Sequence, residues 1–197
     1  VNFIDGMDGL AAGVCTIAAG TFAVIAISLG RPEAGVLAAI LAGTTLGFLR
    51  HNFFPASIFM GDSGSMLLGF VLAAVTVHGV LKSVAAVTLV IPLLIMGVPI
   101  FDLSFAVMRR MKNRQNIFRP DRGHLHHRLF NICFSQRKAV LVLYAWCTLM
   151  SSLALSMRFA PGFVTVILTG VVIAVSLYLG YLLDILQVRS RRSIDTR

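Results

Sequence analysis

The sequence has 197 residues, of which 57% are hydrophobic and 13% are charged, and its mean hydropathy is +0.88. These values lie far from those of soluble globular domains and indicate an integral membrane protein. The formal net charge of +9 does not indicate a nucleic-acid partner, because the basic residues cluster in loops and in a tail beside apolar segments, a distribution typical of membrane orientation.

Six apolar segments approach or exceed the length of about 20 residues that crosses the hydrocarbon core of a bilayer. In chain order they cover residues 9–29, 34–49, 64–81, 83–108, 139–157 and 162–183. The second is short for a span, and the fourth contains Pro92 and Pro99, which predict a kink or a break. The sequence therefore predicts an all-α fold, a polytopic membrane helix bundle of about six transmembrane helices that forms one membrane domain over 1–197.

Two pairs of glycines, Gly9 with Gly13 and Gly43 with Gly47, have the GxxxG spacing. In membrane helices this spacing is typical of surfaces where two backbones approach closely. We therefore expect both pairs to serve helix packing.

The distribution of lysine and arginine predicts the orientation, because basic loops stay on the cytoplasmic side. With a cytoplasmic N-terminus, 14 of the 17 lysine and arginine residues are cytoplasmic, most of them in the basic, histidine-containing loop 109–138 and the basic tail 184–197. Arg31, Lys82 and Arg158 are then on the outer side. We therefore expect both termini at the cytoplasmic face of the plasma membrane, together with the polar motifs described next.

Asp5 and Asp8 lie three residues apart, immediately before the first span. If that helix begins near Ile4, the two carboxylates share one face at its N-terminus and can bind a hard cation such as Mg²⁺. The alternative is N-terminal capping, in which an aspartate accepts backbone N–H groups and complements the helix dipole.

Asp62 lies at the start of the third span, between Gly61 and Gly64, which permit tight turns and close approach of a ligand. With the neighbouring serine hydroxyls, this segment predicts either an anion site or a helix cap. Asn52, in the preceding turn, carries a neutral amide that either contacts a polar substrate or forms an asparagine turn before Pro55.

The loop 109–138 contains a dense group of cationic and titratable side chains: Arg122, His124, His126, His127 and Arg128. Arginine forks match phosphate oxygens, and histidines donate or shuttle protons near neutral pH. A solvated basic loop explains the arginines but not three histidines within four positions. Zinc binding is a weaker alternative, because no cysteine or acidic ligand has a convincing spacing.

The chain resembles the polyprenyl-phosphate N-acetylhexosamine-1-phosphate transferase family in segments that occur in order over residues 2–129: NFIDGMDGLAAG, GFLRHNFFPASIFMGDSGSMLLGF, PIFDLSFAVMRR and RPDRGHLHHRL. The HLHHRL form is similar to the branch that transfers N-acetylglucosamine-1-phosphate to undecaprenyl phosphate, and less so to the muramoyl-pentapeptide branch. The resemblance implies a Mg²⁺-dependent enzyme, with Mn²⁺ as a substitute, that uses a UDP-sugar and releases UMP in the first membrane step of cell-envelope glycan synthesis. It also implies a homodimer as one form of assembly.

The resemblance implies a role for each matching residue. Asp62 and Asp8 would be metal ligands, Asp5 would share their catalytic cleft, and Asn52 would contact the nucleotide. The loop that closes over the diphosphate would supply three catalytic histidines and two substrate-binding arginines: His124, His126, His127, Arg122 and Arg128.

One feature of that family has no counterpart in the sequence, an adjacent pair of aspartates in an earlier cytoplasmic loop. We therefore expect the chain to be the C-terminal portion of a larger enzyme, and these 197 residues alone to lack transferase activity. A transporter module is a competing interpretation, with Asp102 in the fourth span lining a pathway, but transport sites lie near the bilayer midplane and the other charged residues do not. A membrane fragment without activity is a third.

Overall fold

A computed structural model describes residues 1–79 and 135–159, together with scattered positions of 92–111 and 163–178. The two continuous parts contain four long helices: α1 (Leu10–Ser28), α2 (Pro32–Asn52), α3 (Gly61–Gly79) and α4 (Gln136–Phe159). A short 3-10 helix, Asn2–Ile4, precedes α1, and no strand occurs among the described residues. All four helices are long and apolar enough to cross a membrane. The predicted membrane helix bundle is confirmed.

The first, third and fifth predicted spans correspond to α1, α3 and α4, with ends that differ by at most three residues. The second is longer than its apolar segment, because α2 extends over 21 residues. Pro32 suits the first helical position, and Arg50 and His51 in the last turn face the negative end of the helix dipole. Hydropathy alone omits these polar turns, so the concern about a short second span was wrong.

Several predictions concern parts that the structure does not describe or describes only at scattered positions. These are the predicted spans 83–108 and 162–183 with Asp102, most of the loop 109–138, and the tail 184–197. The predicted division into one membrane domain, a loop and a tail therefore stays a prediction.

The central helix is α1, which contacts α2, α3 and α4. Its span is 72% buried, whereas that of α3 is 17% buried. Phe22 and Ile25 of α1 are fully buried in the larger core cluster, together with Val75 of α3 and Met150 of α4. The outward sides of α2 and α3 are apolar, as a lipid-facing surface requires.

One polar contact joins the C-terminal ends of α1 and α4. The Arg158 guanidinium donates from Nε to Ser28 Oγ at 3.1 Å and from a terminal nitrogen to the Ser28 carbonyl at 2.9 Å. The two helices therefore run in parallel, and their N-terminal ends lie together at the opposite face. The same face holds the C-terminal end of α2 and the N-terminal end of α3, because each of these helices follows its predecessor through a short connection.

A second, smaller core cluster lies at the face where α1 and α4 begin. Ile4 and Met7, which flank Asp5 in the turn before α1, are buried against Ala139, Val140 and Leu143 of α4. The first turns of α4 therefore form the apolar support beneath the aspartate turn.

Candidate functional site

Asp5 and Asp8 lie in an irregular turn between the 3-10 helix and α1. The condition that the first helix begins near Ile4 is not met, because α1 begins at Leu10 and its N-cap is Gly9. Gly9 has φ +79°, a left-handed conformation that favours glycine and that reverses the chain into the helix. No side chain caps α1, so the capping role considered for Asp5 and Asp8 does not apply at this helix.

Asp8 instead fastens the turn to the connection between α2 and α3. Its Oδ2 accepts a hydrogen bond from the Ala56 backbone N–H at 3.0 Å. Among the described residues, its Oδ1 has no hydrogen-bond partner. Asp8 Oδ2 therefore holds the connection between α2 and α3 in place, and Oδ1 can bind a ligand.

Asp62 is the second residue of α3 and lies in its first turn, directly after Gly61, which has φ +68°. The fully buried Ser65, one turn later, lies 3.1 Å from both Asn2 Oδ1 and the Asp62 carbonyl, to which its hydroxyl can donate. Ser65 thereby links the first turn of α3 to the segment before Asp5.

These connections bring the three aspartates to one cavity of about 280 Å³ at the end of the bundle. The described residues that line it are Asp5, Gly6, Met7, Asp8, Asn52, Phe59, Met60, Gly61 and Asp62. Four residues singled out from the sequence thus meet in space, although 57 residues separate the first from the last.

The electrostatics of the cavity are set by carboxylates at close quarters. Burial raises the pKa of Asp5, and the negative charge of Asp62 raises it further. A carboxylate whose ionisation is opposed by a neighbouring carboxylate is stabilised by any cation that reaches both. The cavity is therefore suited to a positively charged ligand.

Asn52 is 3% exposed and holds two loops together. Its Oδ1 accepts the Gly9 backbone N–H at 3.0 Å, and its Nδ2 donates to the Ile58 carbonyl at 2.9 Å. The Asn52 amide therefore lines the cavity and mainly holds the Gly9 and Ile58 backbones in place. Its predicted contact with a nucleotide stays a prediction.

The residues present fit a Mg²⁺ ion held partly by a substrate. Among the described residues, no group of three or more histidine, cysteine, aspartate or glutamate side chains is close enough to hold an ion alone. Mg²⁺ is commonly bound by one or two carboxylates, with water and substrate phosphate oxygens completing the shell. Asp62 and Asp8 supply such a pair beside one cavity, where Asp8 Oδ1 has no hydrogen-bond partner among the described residues.

The structure also shows a cavity residue that the sequence interpretation missed. Phe59 lines the cavity and is 74% exposed. The available signal was the position of this phenylalanine in the polar connection just before Asp62. The loop residues Arg122, His124, His126, His127 and Arg128 lie outside the described residues, and their roles stay predictions.

A larger cavity of about 400 Å³ lies at the opposite end of the helices. Among its lining residues are Arg31 and Glu33 at the start of α2 and His78 near the end of α3. It lacks the convergent carboxylates of the aspartate cavity, so its size alone does not make it the better candidate.

Comparison with known proteins gives a family match and curated relatives. The model of glycosyl transferase family 4 matches residues 1–80. The probable undecaprenyl-phosphate N-acetylglucosaminyl 1-phosphate transferase of Bacillus subtilis is 49% identical over 144 residues, which are 73% of this chain and 40% of that protein. The decaprenyl-phosphate N-acetylglucosaminephosphotransferase of Mycobacterium leprae is 44% identical over 165 residues, covering 74% and 42% of the two chains.

A relative from the other branch is less similar. The phospho-N-acetylmuramoyl-pentapeptide-transferase of Moorella thermoacetica is 36% identical over 154 residues, which are 77% of this chain and 46% of that protein. The chain spans less than half the length of each of these three relatives.

Proposed function

This chain belongs to glycosyl transferase family 4, and on that premise we propose that it serves the transfer of N-acetylglucosamine-1-phosphate from a UDP-sugar to a polyprenyl phosphate, with release of UMP. The observation that carries the proposal is the meeting of Asp5, Asp8 and Asp62 at one cavity at the end of a membrane helix bundle. A diphosphate donor and a phosphate acceptor both carry negative charge, so a site for them needs a cation that acidic residues hold in place.

The reaction joins two substrates that differ in solubility. The acceptor has its chain in the bilayer and its phosphate at the interface, whereas the donor comes from water. A cavity at the helix ends lies where the two can meet, and the apolar sides of α2 and α3 border it toward lipid. Aspartates at the helix ends, away from the midplane, favour a transferase over the transporter considered from the sequence.

Within the cavity, Asp62 and Asp8 would hold Mg²⁺, which supplies charge neutralisation of the diphosphate when bound. Burial and the negative charge of Asp62 raise the pKa of Asp5, so a nearby cation would favour its ionised form. The exposed Phe59 ring offers a flat apolar surface at the cavity on which a nucleobase can stack. Holding both substrates in line would supply much of the rate, as in other phosphoryl transfers.

The histidines and arginines of the loop 109–138 would complete the site over the diphosphate. We propose that this face is cytoplasmic, since Arg50, Arg137 and Lys138 lie at or beside the helix ends that surround it. Undecaprenyl phosphate is the acceptor named for the Bacillus subtilis relative and is the acceptor that we propose.

Membranes from a host without such an enzyme, in which the complete gene that encodes this chain is expressed, test the proposal. We expect Mg²⁺-dependent release of UMP from UDP-N-acetylglucosamine that requires added undecaprenyl phosphate. Release of UDP would indicate transfer of the sugar without its phosphate and would contradict the proposal.

The donor specificity needs a separate comparison. UDP-N-acetylglucosamine and UDP-N-acetylmuramoyl-pentapeptide are supplied in parallel to the same membranes, with membranes from the host alone as the control. We expect activity with the first donor, because the N-acetylglucosamine relatives are more similar than the muramoyl relative over long alignments. Activity with the second donor alone would assign the chain to the other branch.

A further inference from the structure

Three helices meet at one residue beside the aspartate cavity. The Gly9 backbone N–H donates to Asn52 at the end of α2. The Gly9 carbonyl accepts a hydrogen bond of 2.9 Å from the Gly13 N–H, which is the first hydrogen bond of α1. The same carbonyl also accepts a hydrogen bond from the Tyr144 hydroxyl of α4, 135 residues away in the sequence. The Gly9 backbone is thus fixed from both sides, one residue after Asp8.

Gly13 makes room for the tyrosine that reaches this carbonyl. A Cβ atom at position 13 would lie 2.1 Å from Cζ and from the hydroxyl oxygen of Tyr144. Contacts under 3.0 Å are not found for real Cβ atoms, so any side chain at this position would displace the ring. The Gly9 and Gly13 pair therefore does more than bring two backbones together, because its gap admits a hydrogen-bonding side chain.

The position of Gly9 determines where the aspartates point. Asp5 and Asp8 lie in the turn that Gly9 ends, and Ile4 and Met7 of this segment rest on the first turns of α4. Asp62 belongs to a different helix, α3, so its spacing from the other two carboxylates depends on how the turn is held. A shift of the turn by about 1 Å is enough to lower a rate by about a hundredfold when geometry limits catalysis.

We propose that Tyr144 is a positioning residue of the active site: its hydroxyl, admitted by Gly13, fixes the Gly9 peptide and so holds Asp5 and Asp8 in register with Asp62. The inference rests on the proposed function. Tyr144 does not line the cavity, so it acts through the backbone and not on the substrates.

The first test replaces Tyr144 with phenylalanine, which keeps the ring and removes the hydroxyl. We expect kcat for UMP release to fall about tenfold and the Mg²⁺ concentration for half-activation to rise several-fold, while KM for undecaprenyl phosphate stays within about twofold. The matched control is Tyr178→Phe, the same change at a side chain that is 63% exposed, and it should behave as the wild type. A merely structural role would lower the amount of folded protein without shifting the Mg²⁺ dependence.

The second test uses a pair of glycines in α1. Gly13→Ala should give the same loss as Tyr144→Phe or a larger one, whereas Gly20→Ala should be neutral, because a Cβ at position 20 has nothing within 4 Å among the described residues. Combining Gly13→Ala with Tyr144→Phe should cost no more than Gly13→Ala alone, since the hydrogen bond is already lost. Full additivity of the two changes would contradict the proposed link.

The outcomes separate the two levels of the account. An inactive wild type, expressed from the complete gene, overturns the proposed function and the inference that rests on it. An active wild type with Tyr144→Phe indistinguishable from Tyr178→Phe overturns the inference and leaves the proposed function intact.

Discussion

At the scale of single residues, the surroundings of Asp5 disfavour its ionised form. Its pKa lies above the ordinary value of 3.8, first because of burial and second because of Asp62. The folded chain therefore binds the Asp5 proton more tightly than the unfolded chain does. As the pH rises from 3.8 through the raised pKa, ionisation of Asp5 progressively lowers the free energy of unfolding.

This sign gives a pH-dependent prediction for purified protein in EDTA. Asp5→Asn should melt above the wild type at pH 7, by about 1–2 °C because solvent screens a partly exposed carboxylate. The difference should shrink as the pH is lowered through the raised pKa of Asp5, and it should vanish below 3.8, where the wild-type carboxylate is protonated in both states. Glu33→Gln removes an exposed carboxylate at the opposite face and should show no such trend. A wild type that melts above Asp5→Asn at pH 7 would contradict the assignment.

Asn52 gives a second prediction at this scale, one of stability. Asn52→Ala leaves the Gly9 N–H and the Ile58 carbonyl without their partner, at a cost of about 2 kcal/mol. The melting temperature should therefore fall by about 4–8 °C. Thr44→Ala, on an exposed part of the same helix, removes only the hydrogen bond from the Thr44 hydroxyl to the Leu41 carbonyl and should change little. An Asn52→Ala variant as stable as Thr44→Ala would show that the amide serves ligands and not the fold.

At the scale of the helices, small residues set how closely α1, α2 and α3 pack near the face opposite the aspartate cavity. A Cβ atom on Gly35 of α2 would lie 2.5 Å from Ile27 Cγ1, and one on Gly79 of α3 would lie 3.0 Å from Ala34 Cβ. By contrast, Gly43 and Gly47 have nothing within 4 Å of such an atom in the part of the chain that the structure describes. The GxxxG spacing therefore does not by itself say which glycines pack, since glycines outside it pack closely.

Two alanine substitutions in α2 distinguish these environments. Gly35→Ala should destabilise by about 1–3 kcal/mol, because Ile27 and the nearby Ala23 carbonyl must move. Gly43→Ala should be neutral or stabilise by up to about 1 kcal/mol through helix propensity. Thermal unfolding of both variants in one detergent measures the difference. Equal effects would mean that the α1 and α2 helices are not packed as described.

At the scale of the whole molecule, hydropathy predicted the helices well and the interhelical contacts poorly. The apolar segments locate α1, α3 and α4 to within three residues, because crossing a bilayer demands an apolar length that the sequence must contain. The same demand placed Asp5, Asp8 and Asp62 at helix ends. It could not predict that Tyr144 meets Gly9 or that Asn52 bridges two loops, since such contacts depend on helix rotation and crossing.

Among the described residues, three aspartates lie together at one face of the bundle, and a second cavity lined by Arg31 and Glu33 lies at the other face. This separation provides an internal control for the central claim, that phosphoryl transfer depends on the aspartate cavity. Neutralising one carboxylate at each face changes the net charge equally and differs only in position.

The most direct measurement is therefore Mg²⁺-dependent UMP release by Asp62→Asn and Glu33→Gln in membranes that contain equal amounts of each variant. We expect a loss of about a hundredfold or more for Asp62→Asn, because a carboxylate that would hold Mg²⁺ at the diphosphate is removed. We expect activity within about twofold of the wild type for Glu33→Gln, where only an exposed carboxylate at the far face is lost. Equal activity of the two variants would contradict the claim that the aspartate cavity is the active site.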